Sequence, residues 1–244
     1  MKPHLIMPMG GAGSRFYKNG YMQPKPLIEI NGKPFLYWAA MSIKKYVDIE
    51  DITFVVLQQH LDEFDIDKII KKYFPEADIK VLPQILPGPV FTSLEGVAKI
   101  RDDAPIIFND CDHMFKCTDV NNLFLHETFS ADGVLLTFES NEPQFSYVKY
   151  DLEGKIVGTI EKKVVSNHAI CGAYIFKTAK LFRDVAEVYT KNCPYDECFM
   201  SGLYNVMCEK GFVVKDYLLD YHVEFGMPEE YEKAKRSQYF SELV

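Results

Sequence analysis

The chain has 244 residues, 48% of them drawn from AVILMFWYC and 25% charged, a balance that fits a folded globular protein and excludes a disordered one. Its 27 Lys and Arg stand against 35 Asp and Glu, a formal net charge of −8, which argues against binding to nucleic acid or to an anionic membrane surface. The length suits one large domain whose core needs no disulfide or structural metal.

The opening MKPHLIMPMGGAGSRF has an apolar stretch broken by prolines and glycines, unlike a signal peptide or a spanning helix. The six cysteines form no Cys-x-x-Cys pair and no zinc-like grouping with histidine. Reduced thiols in a cytoplasmic protein are the expectation.

Leu5 to Met7 reads as a short buried strand that opens into a glycine-rich loop. A helix is expected from Pro34, as its first-turn proline, to about Lys45. Ile52 to Leu57 is a second strand, and Leu61 to Phe74 a helix stopped by Pro75. Ile79 to Leu82 makes a third strand, followed by a helix from about Val90 to Ile100. Ile106 to Phe108 is a fourth strand, ending on Asn109-Asp110-Cys111-Asp112. After Asp119 come closely spaced strands at 134–138, 147–150, 156–160 and 169–176, with a hairpin turn at Asp151–Gly154. Helices are expected over about 178–189, 197–209 and 229–238. The alternation predicts an α/β fold with a mixed, mostly parallel central sheet flanked by helices. One domain, 1–244, would have a nucleotide-binding half to about residue 115 and an acceptor-binding half from about 116.

Gly10-Gly11-Ala12-Gly13-Ser14-Arg15 follows the first strand directly. Glycines let backbone N–H groups close on phosphate oxygens, Ser14 adds a donor, and Arg15 can fork onto a polyphosphate. The loop lacks the Gly-Lys-Ser/Thr of a Walker A, and Phe16 sits where a dinucleotide fingerprint needs its third glycine. Lys25 lies between Pro24 and Pro26, which excludes a helix through it and suits a point cation aimed at a phosphoryl group. Asp110 and Asp112, one residue apart, would share a face if the strand continued through them. Converging carboxylates repel unless a cation lies between them or one takes a proton, and magnesium favours carboxylates with phosphate oxygens and water. His60, His113, His168 and His222 have no metal-type spacing and read as structural or solvated.

Gly-Gly-x-Gly-Ser-Arg followed by Pro-Lys-Pro-Leu resembles the sugar-phosphate nucleotidyltransferase superfamily, which has a Rossmann-like, GT-A-type fold. The resemblance continues along nearly the whole chain. It implies nucleotide binding by Met9, Gly10, Gly11, Ala12, Gly13 and Ser14, by a second loop at Pro87-Gly88-Pro89 with Thr92, and by Gln84 beside the base. Asp110 would also face the nucleotide. Glu161-Lys162, Asn167 and Gly172 resemble the acceptor-binding strand pair. Asp112 resembles the strand-end magnesium ligand. Glu224 to Tyr231 resembles the closing Asp-x-Gly-Thr-Pro-x-x-Tyr segment, with Glu224 in place of Asp and Met227 in place of Thr; Glu224 would be the second metal ligand.

The implied reaction is transfer of a nucleotidyl group from Mg²⁺-NTP to a small phosphorylated acceptor with release of pyrophosphate, Lys25 and Arg15 being catalytic. The Gly-Ser-Arg-Phe spelling is similar to cytidylyltransferases and small enzymes of capsule and surface-polysaccharide loci, a circle that includes CTP:phosphoglutamine cytidylyltransferase. Alternatives are a hexose-1-phosphate uridylyl- or thymidylyltransferase, and a GT-A glycosyltransferase using Asp110-Cys111-Asp112 as its metal motif. The oligomeric state stays open, a homodimer included.

Overall fold

A computed structural model describes residues 1–125 and 130–243. Three strands start the architecture, β1 (His4–Pro8), buried except at its two ends, and the fully buried β4 (Ile52–Leu57) and β6 (Ile106–Asn109), with β2 (Glu29–Ile30) and β3 (Lys33–Pro34) forming a small ribbon and β5 (Asp78–Leu82) an edge. β5, β4, β1 and β6 lie side by side and run parallel. Their side chains alternate between two cores. Leu5, Met7, Phe54 and Val56 pack into one, while Ile6 and Val55 pack into the other.

The helices of this half are α1 (Ser14–Lys18), α2 (Phe35–Lys44), α3 (Gln58–Phe64), α4 (Ile66–Tyr73) and α5 (Pro89–Gly96). Pro34 precedes α2 as an extended cap rather than sitting in its first turn. The helix expected over 61–74 is broken in two at Asp65, whose φ of 50° is left-handed, a conformation that Asp tolerates better than most residues. α5 ends at Gly96, earlier than expected, where any side chain would run into Ile6 and Val55. Lys25–Leu27 form one 3₁₀ turn although a helix was excluded there. The turn uses the N–H groups of Leu27, bonded to Pro24 at 2.9 Å, and of Ile28, bonded to Lys25 at 3.2 Å, so neither proline has to donate.

The second half adds β7 (His113–Lys116), α6 (Thr118–Leu125), β8 (Gly133–Glu139), β9 (Tyr147–Tyr150), β10 (Ile156–Ile160) and β11 (His168–Phe176). α7 (Ala179–Lys191), a 3₁₀ turn at Met200–Gly202, α8 (Leu203–Glu209), β12 (Val214–Leu218), β13 (Tyr221–Glu224), α9 (Pro228–Ala234) and a 3₁₀ turn at Gln238–Glu242 complete it. The helix expected over 197–209 therefore starts only at the 3₁₀ turn. β11 pairs antiparallel with β6, which joins both halves in one nine-stranded mixed sheet of order β10-β9-β11-β6-β1-β4-β5, with β8 and β12 attached through β11. β7, α6, β12 and β13 had not been expected.

Chain order fixes where a ligand binds. From β1 the chain winds outward to β4 and β5, then returns to β6 on the other side of β1. The reversal opens a crevice beyond the carboxyl ends of β1 and β6, the place where open α/β sheets take ligands. A third core holds the flank of this crevice. Phe35 and Trp38 of α2 pack with Phe16, Met114, Phe225 and Phe240, and the Phe35 and Phe225 rings lie 4.5 Å apart. Among the described residues no helix is long and apolar enough to cross a membrane.

Candidate active site

The crevice holds two adjoining cavities, of about 800 Å³ and about 220 Å³, that share Asp110, Asp112, Gln144, Glu161, Phe199 and Gly226. Met9, Gly11, Gly13, Ser14 and Arg15 line the larger one, together with Lys25. The Met9 amide is tied to Val55 at 2.8 Å, after which the chain turns through Gly13, left-handed at φ 59°, into α1. Gly10 and Ala12 belong to this turn without lining the cavity. Thr92 is buried behind Gly10 and supports it, while Gly88 packs against the Cys198 backbone. Gln84 is exposed and lines neither cavity.

Asp110 and Asp112 do converge, though not by strand alternation. β6 stops at Asn109, and both carboxylates project from the connection into β7. The Asp110 N–H donates to the Gly172 carbonyl at 3.0 Å. Gly172 interrupts the β11 ladder at φ 95°, where an added Cβ would fall 2.7 Å from Asp110 Oδ2. A side chain at 172 is therefore excluded by the carboxylate it would meet. Lys25 Nζ makes an ion pair with Asp112 Oδ2. Lys25, expected as a point cation aimed at a phosphoryl group, lines the larger cavity and also balances the acids.

β13 pairs with β7 so that Glu224 lies opposite His113, and the Phe225 N–H donates to the Asp112 carbonyl at 3.0 Å. This register brings Glu224, more than a hundred residues distant in sequence, beside Asp112. Glu224 Oε1 is buried without a hydrogen-bond partner, and His222 Nδ1 stands 3.7 Å from it.

Charge crowding sets the electrostatics. Burial and the neighbouring Asp112 charge push Asp110 up to about 7. Burial, then Glu230, Glu142 and Asp112, pushes Glu224 up to about 8. Burial opposes ionisation of Asp112 too, but the Lys25 ammonium outweighs it and holds that carboxyl below its ordinary value. Burial works against the Lys25 charge, and Asp112 more than offsets it, so the ammonium is held more firmly than usual. Among the described residues no three side chains already form a cage for a metal ion. Two converging carboxylates with an orphaned oxygen still fit magnesium, which takes its remaining ligands from phosphate and water.

On the acceptor side Glu161 Oε2 accepts from Ser146, and from Ser201 at 3.1 Å. Lys162 adopts a left-handed φ of 53° and holds its ammonium 4.9 Å from the centre of the Phe199 ring, at the wall of the larger cavity. Asn167 is not brought to the site. It is exposed just before β11, its carbonyl accepting from Ser140 at 3.0 Å.

Gln144, Ser146, Phe199, Ser201 and Glu230 had not been singled out, and His222, read as structural or solvated, lines the smaller cavity. Of these only Glu230 carried a local signal, as an acid in the first turn of a helix. It accepts from the Met227 N–H at 2.9 Å, while Gln144 donates to its other oxygen at 3.2 Å. His113 and His222 share a half-buried hydrogen bond of 3.1 Å, and all six cysteines are free thiols.

A phosphate-type turn and a carboxylate pair at the switch point of a parallel sheet, opening on a second pocket in an antiparallel half, define a nucleotide-dependent transferase. The chain belongs to the nucleotidyl transferase family, whose profile matches residues 4–237. It is 25% identical over 231 residues to the D-glycero-alpha-D-manno-heptose 1-phosphate guanylyltransferase of Campylobacter jejuni subsp. jejuni serotype O:2, covering 93% of this chain and 96% of that one. The nucleoside-diphosphate-sugar pyrophosphorylase of Vibrio cholerae RC9 superposes with a TM-score of 0.82 at 24% identity, over 96% of this chain and all of that one. The inositol-1-phosphate CTP transferase of T. maritima does so with a TM-score of 0.75 at 16% identity, over 100% of this chain and 94% of that one. The last two likenesses are of fold.

Proposed function

We propose that the protein transfers a nucleoside monophosphate from Mg²⁺-NTP to a small phosphorylated acceptor, releasing pyrophosphate, and that CTP is its preferred donor. The observation that carries the reading is the Lys25–Asp112 pair at the boundary of two cavities, one lined by the glycine turn and the other by the acceptor half. An acceptor phosphate oxygen is already anionic at neutral pH, so attack on the α-phosphorus needs no general base. What the protein supplies is positioning and charge. The turn from Met9 to Ser14 and the Arg15 fork would hold the β- and γ-phosphates that leave as pyrophosphate. Lys25 would neutralise charge that develops on the α-phosphate, and Glu161, fixed by two serines, would orient the acceptor. Asp112 and Glu224 would hold magnesium, which supplies Lewis-acid stabilisation of phosphate oxygens when bound. The lean to CTP rests on the Gly-Ser-Arg-Phe spelling, which also suggests the supply of an activated unit for a capsule or surface polysaccharide.

The test is one incubation series with Mg²⁺, each NTP and a panel of phosphomonoesters, read as pyrophosphate release. CTP should exceed the other nucleotides by at least about tenfold in kcat/KM, roughly 1.4 kcal/mol of differential transition-state binding. Equal or better turnover with GTP, UTP or dTTP would move the protein to the hexose- or heptose-1-phosphate branch. Cleavage of a sugar nucleotide, with no NTP use, would make it a glycosyltransferase.

A further inference from the structure

The smaller cavity is lined by five carboxylates, Asp110, Asp112, Glu161, Glu224 and Glu230, and by no lysine or arginine among the described residues. Lys25 and Lys162 stand in the larger cavity next to it. Magnesium on Asp112 and Glu224 would leave Asp110, Glu161 and Glu230 facing the pocket. A neutral polyol offers hydroxyl donors to such a wall but no charge to balance it.

A second observation comes from a hydrogen-bond chain behind the wall. Asn109 Nδ2 donates to the Ala39 carbonyl at 2.9 Å, so its Oδ1 is left as an acceptor. His113 Nε2, 3.0 Å from that oxygen, must then carry the proton, which leaves its Nδ1 bare. His222 Nε2, 3.1 Å from that nitrogen, must in turn be the donor. The bare Nδ1 of His222 faces Glu224 Oε1 at 3.7 Å, too far for a hydrogen bond. The ring lines the pocket, although its side chain is only 7% exposed. The ring therefore adds a neutral, lone-pair-bearing edge beside the carboxylates and no charge to balance them, a surface that suits a cation. Phe145 and Tyr174, aromatic residues of the kind that can receive ammonium groups, line the same pocket.

Size narrows the occupant. The cavity of about 220 Å³ is the smaller of the two and opens on the larger through shared walls. The acceptor phosphate must stay at the Lys25–Asp112 end to reach the nucleotide, so only the far end of the acceptor enters. We propose that the acceptor is a cationic phosphomonoester, a short-chain phosphate whose far end carries an ammonium group seated among Glu161, Glu230 and His222. This deepens the transfer reading and rests on it.

The test compares isosteric pairs on the full-length protein with Mg²⁺: choline phosphate against neohexyl phosphate, and aminoethyl phosphate against propyl phosphate. Turnover is read as pyrophosphate release. Binding is read separately by calorimetry in the presence of a non-hydrolysable nucleotide analogue. The cationic member of at least one pair should lead its isostere by at least about tenfold in kcat/KM and in affinity. Glu230→Gln keeps a carbonyl for the Met227 N–H, so the helix cap survives, and should reduce that preference by at least about fivefold at an unchanged Tm. Turnover of neutral or sugar phosphates as good as that of the cationic members overturns the inference and leaves nucleotidyl transfer standing. Selective binding of the cationic members without any pyrophosphate release supports the pocket and overturns the transfer reading. Equal binding within each pair, or none, overturns the inference.

Discussion

Replacing Lys25 by methionine keeps most of the side-chain length and removes its charge. In the wild type the Lys25 and Asp112 side chains are 24% and 25% exposed, so their ion pair is largely shielded and not a solvated surface contact. Without the ammonium, Asp112 is an unpaired, mostly buried carboxylate next to Asp110. Leaving such a group without its partner costs about 1–3 kcal/mol, which for a chain of this size lowers Tm by roughly 2–12 °C. The pair contributes in full between the unfolded values of the two groups, from about pH 4 to about pH 10. It is lost at low pH as Asp112, whose folded pKa is depressed, takes a proton, and at high pH as Lys25, whose folded pKa is raised, gives one up. The Tm gap between Lys25→Met and wild type should therefore be full at pH 8 and close below about pH 4. Turnover should fall by about 10²–10³ in kcat, the loss typical of one preorganised donor to a developing charge. Lys25→Arg should restore most of the Tm and little of the kcat, because a planar fork does not replace a compact ammonium. Scanning calorimetry across pH and pyrophosphate release at saturating substrates check both parts. A Lys25→Met protein with kcat within about threefold of wild type would remove Lys25 from the chemistry, and an equal Tm at pH 8 would deny the ion pair its role in the fold.

Asp112→Asn should reduce pyrophosphate release at least about 10²-fold at ordinary Mg²⁺, and Asp110→Asn should be milder; the reverse order would exchange their roles. In the metal-free protein charged Asp110 opposes folding, since burial pushes its pKa up to about 7, so Asp110→Asn should raise Tm most at pH 8, less at pH 5, and little below about pH 4. Mg²⁺ affinity, followed by titration of the nucleotide-free protein, should strengthen from pH 6 to pH 8.5, because Glu224, pushed up to about 8, must lose its proton to bind; a flat profile would take Glu224 out of the site. Lys162→Gly removes a left-handed side chain at φ 53°, which relieves about 1–2 kcal/mol of strain and offsets glycine's larger unfolded-state entropy. Its Tm should hold or rise slightly while kcat/KM falls, and a loss of Tm would show that the Lys162 stack on Phe199 is structural.

The parallel half was legible because its signals are local. Strands buried on both faces read as apolar runs, and the helices between them have the right period. The error at Asp65 is of the same kind, since one left-handed residue breaks a helix without disturbing the apolar spacing on either side. β7 and β13 were not legible. Each has four residues with a histidine among them, and the pairing that makes them strands spans about a hundred positions in the chain. Glu224 shows the consequence. Its motif marked it as a metal ligand, but the reason it reaches Asp112 is a register no local pattern contains.

The site divides along the same line. The glycine turn, Lys25 and the Asp110–Asp112 pair depend on short stretches of chain, so residue types and spacing marked them as candidates, while the choice of Asp112 within the pair came from the family resemblance. The acceptor wall is assembled from the segment before β9, the end of β10, the bulge in β11 and the 3₁₀ turn before α8. Asn167 and Gly172 look adjacent in sequence, yet five extended residues span about 16 Å, and only Gly172 reaches the pocket. A physical account of that wall begins from its charge. Asp110 is raised by burial and then by Asp112 and Glu161, and Glu224 by burial and then by Glu230, Glu142 and Asp112, with Lys25 offsetting the first and Lys233 the second only in part. Such crowding is costly in the empty protein and is relieved when cations arrive with the ligands, as metal on one side and as the acceptor's own charge on the other.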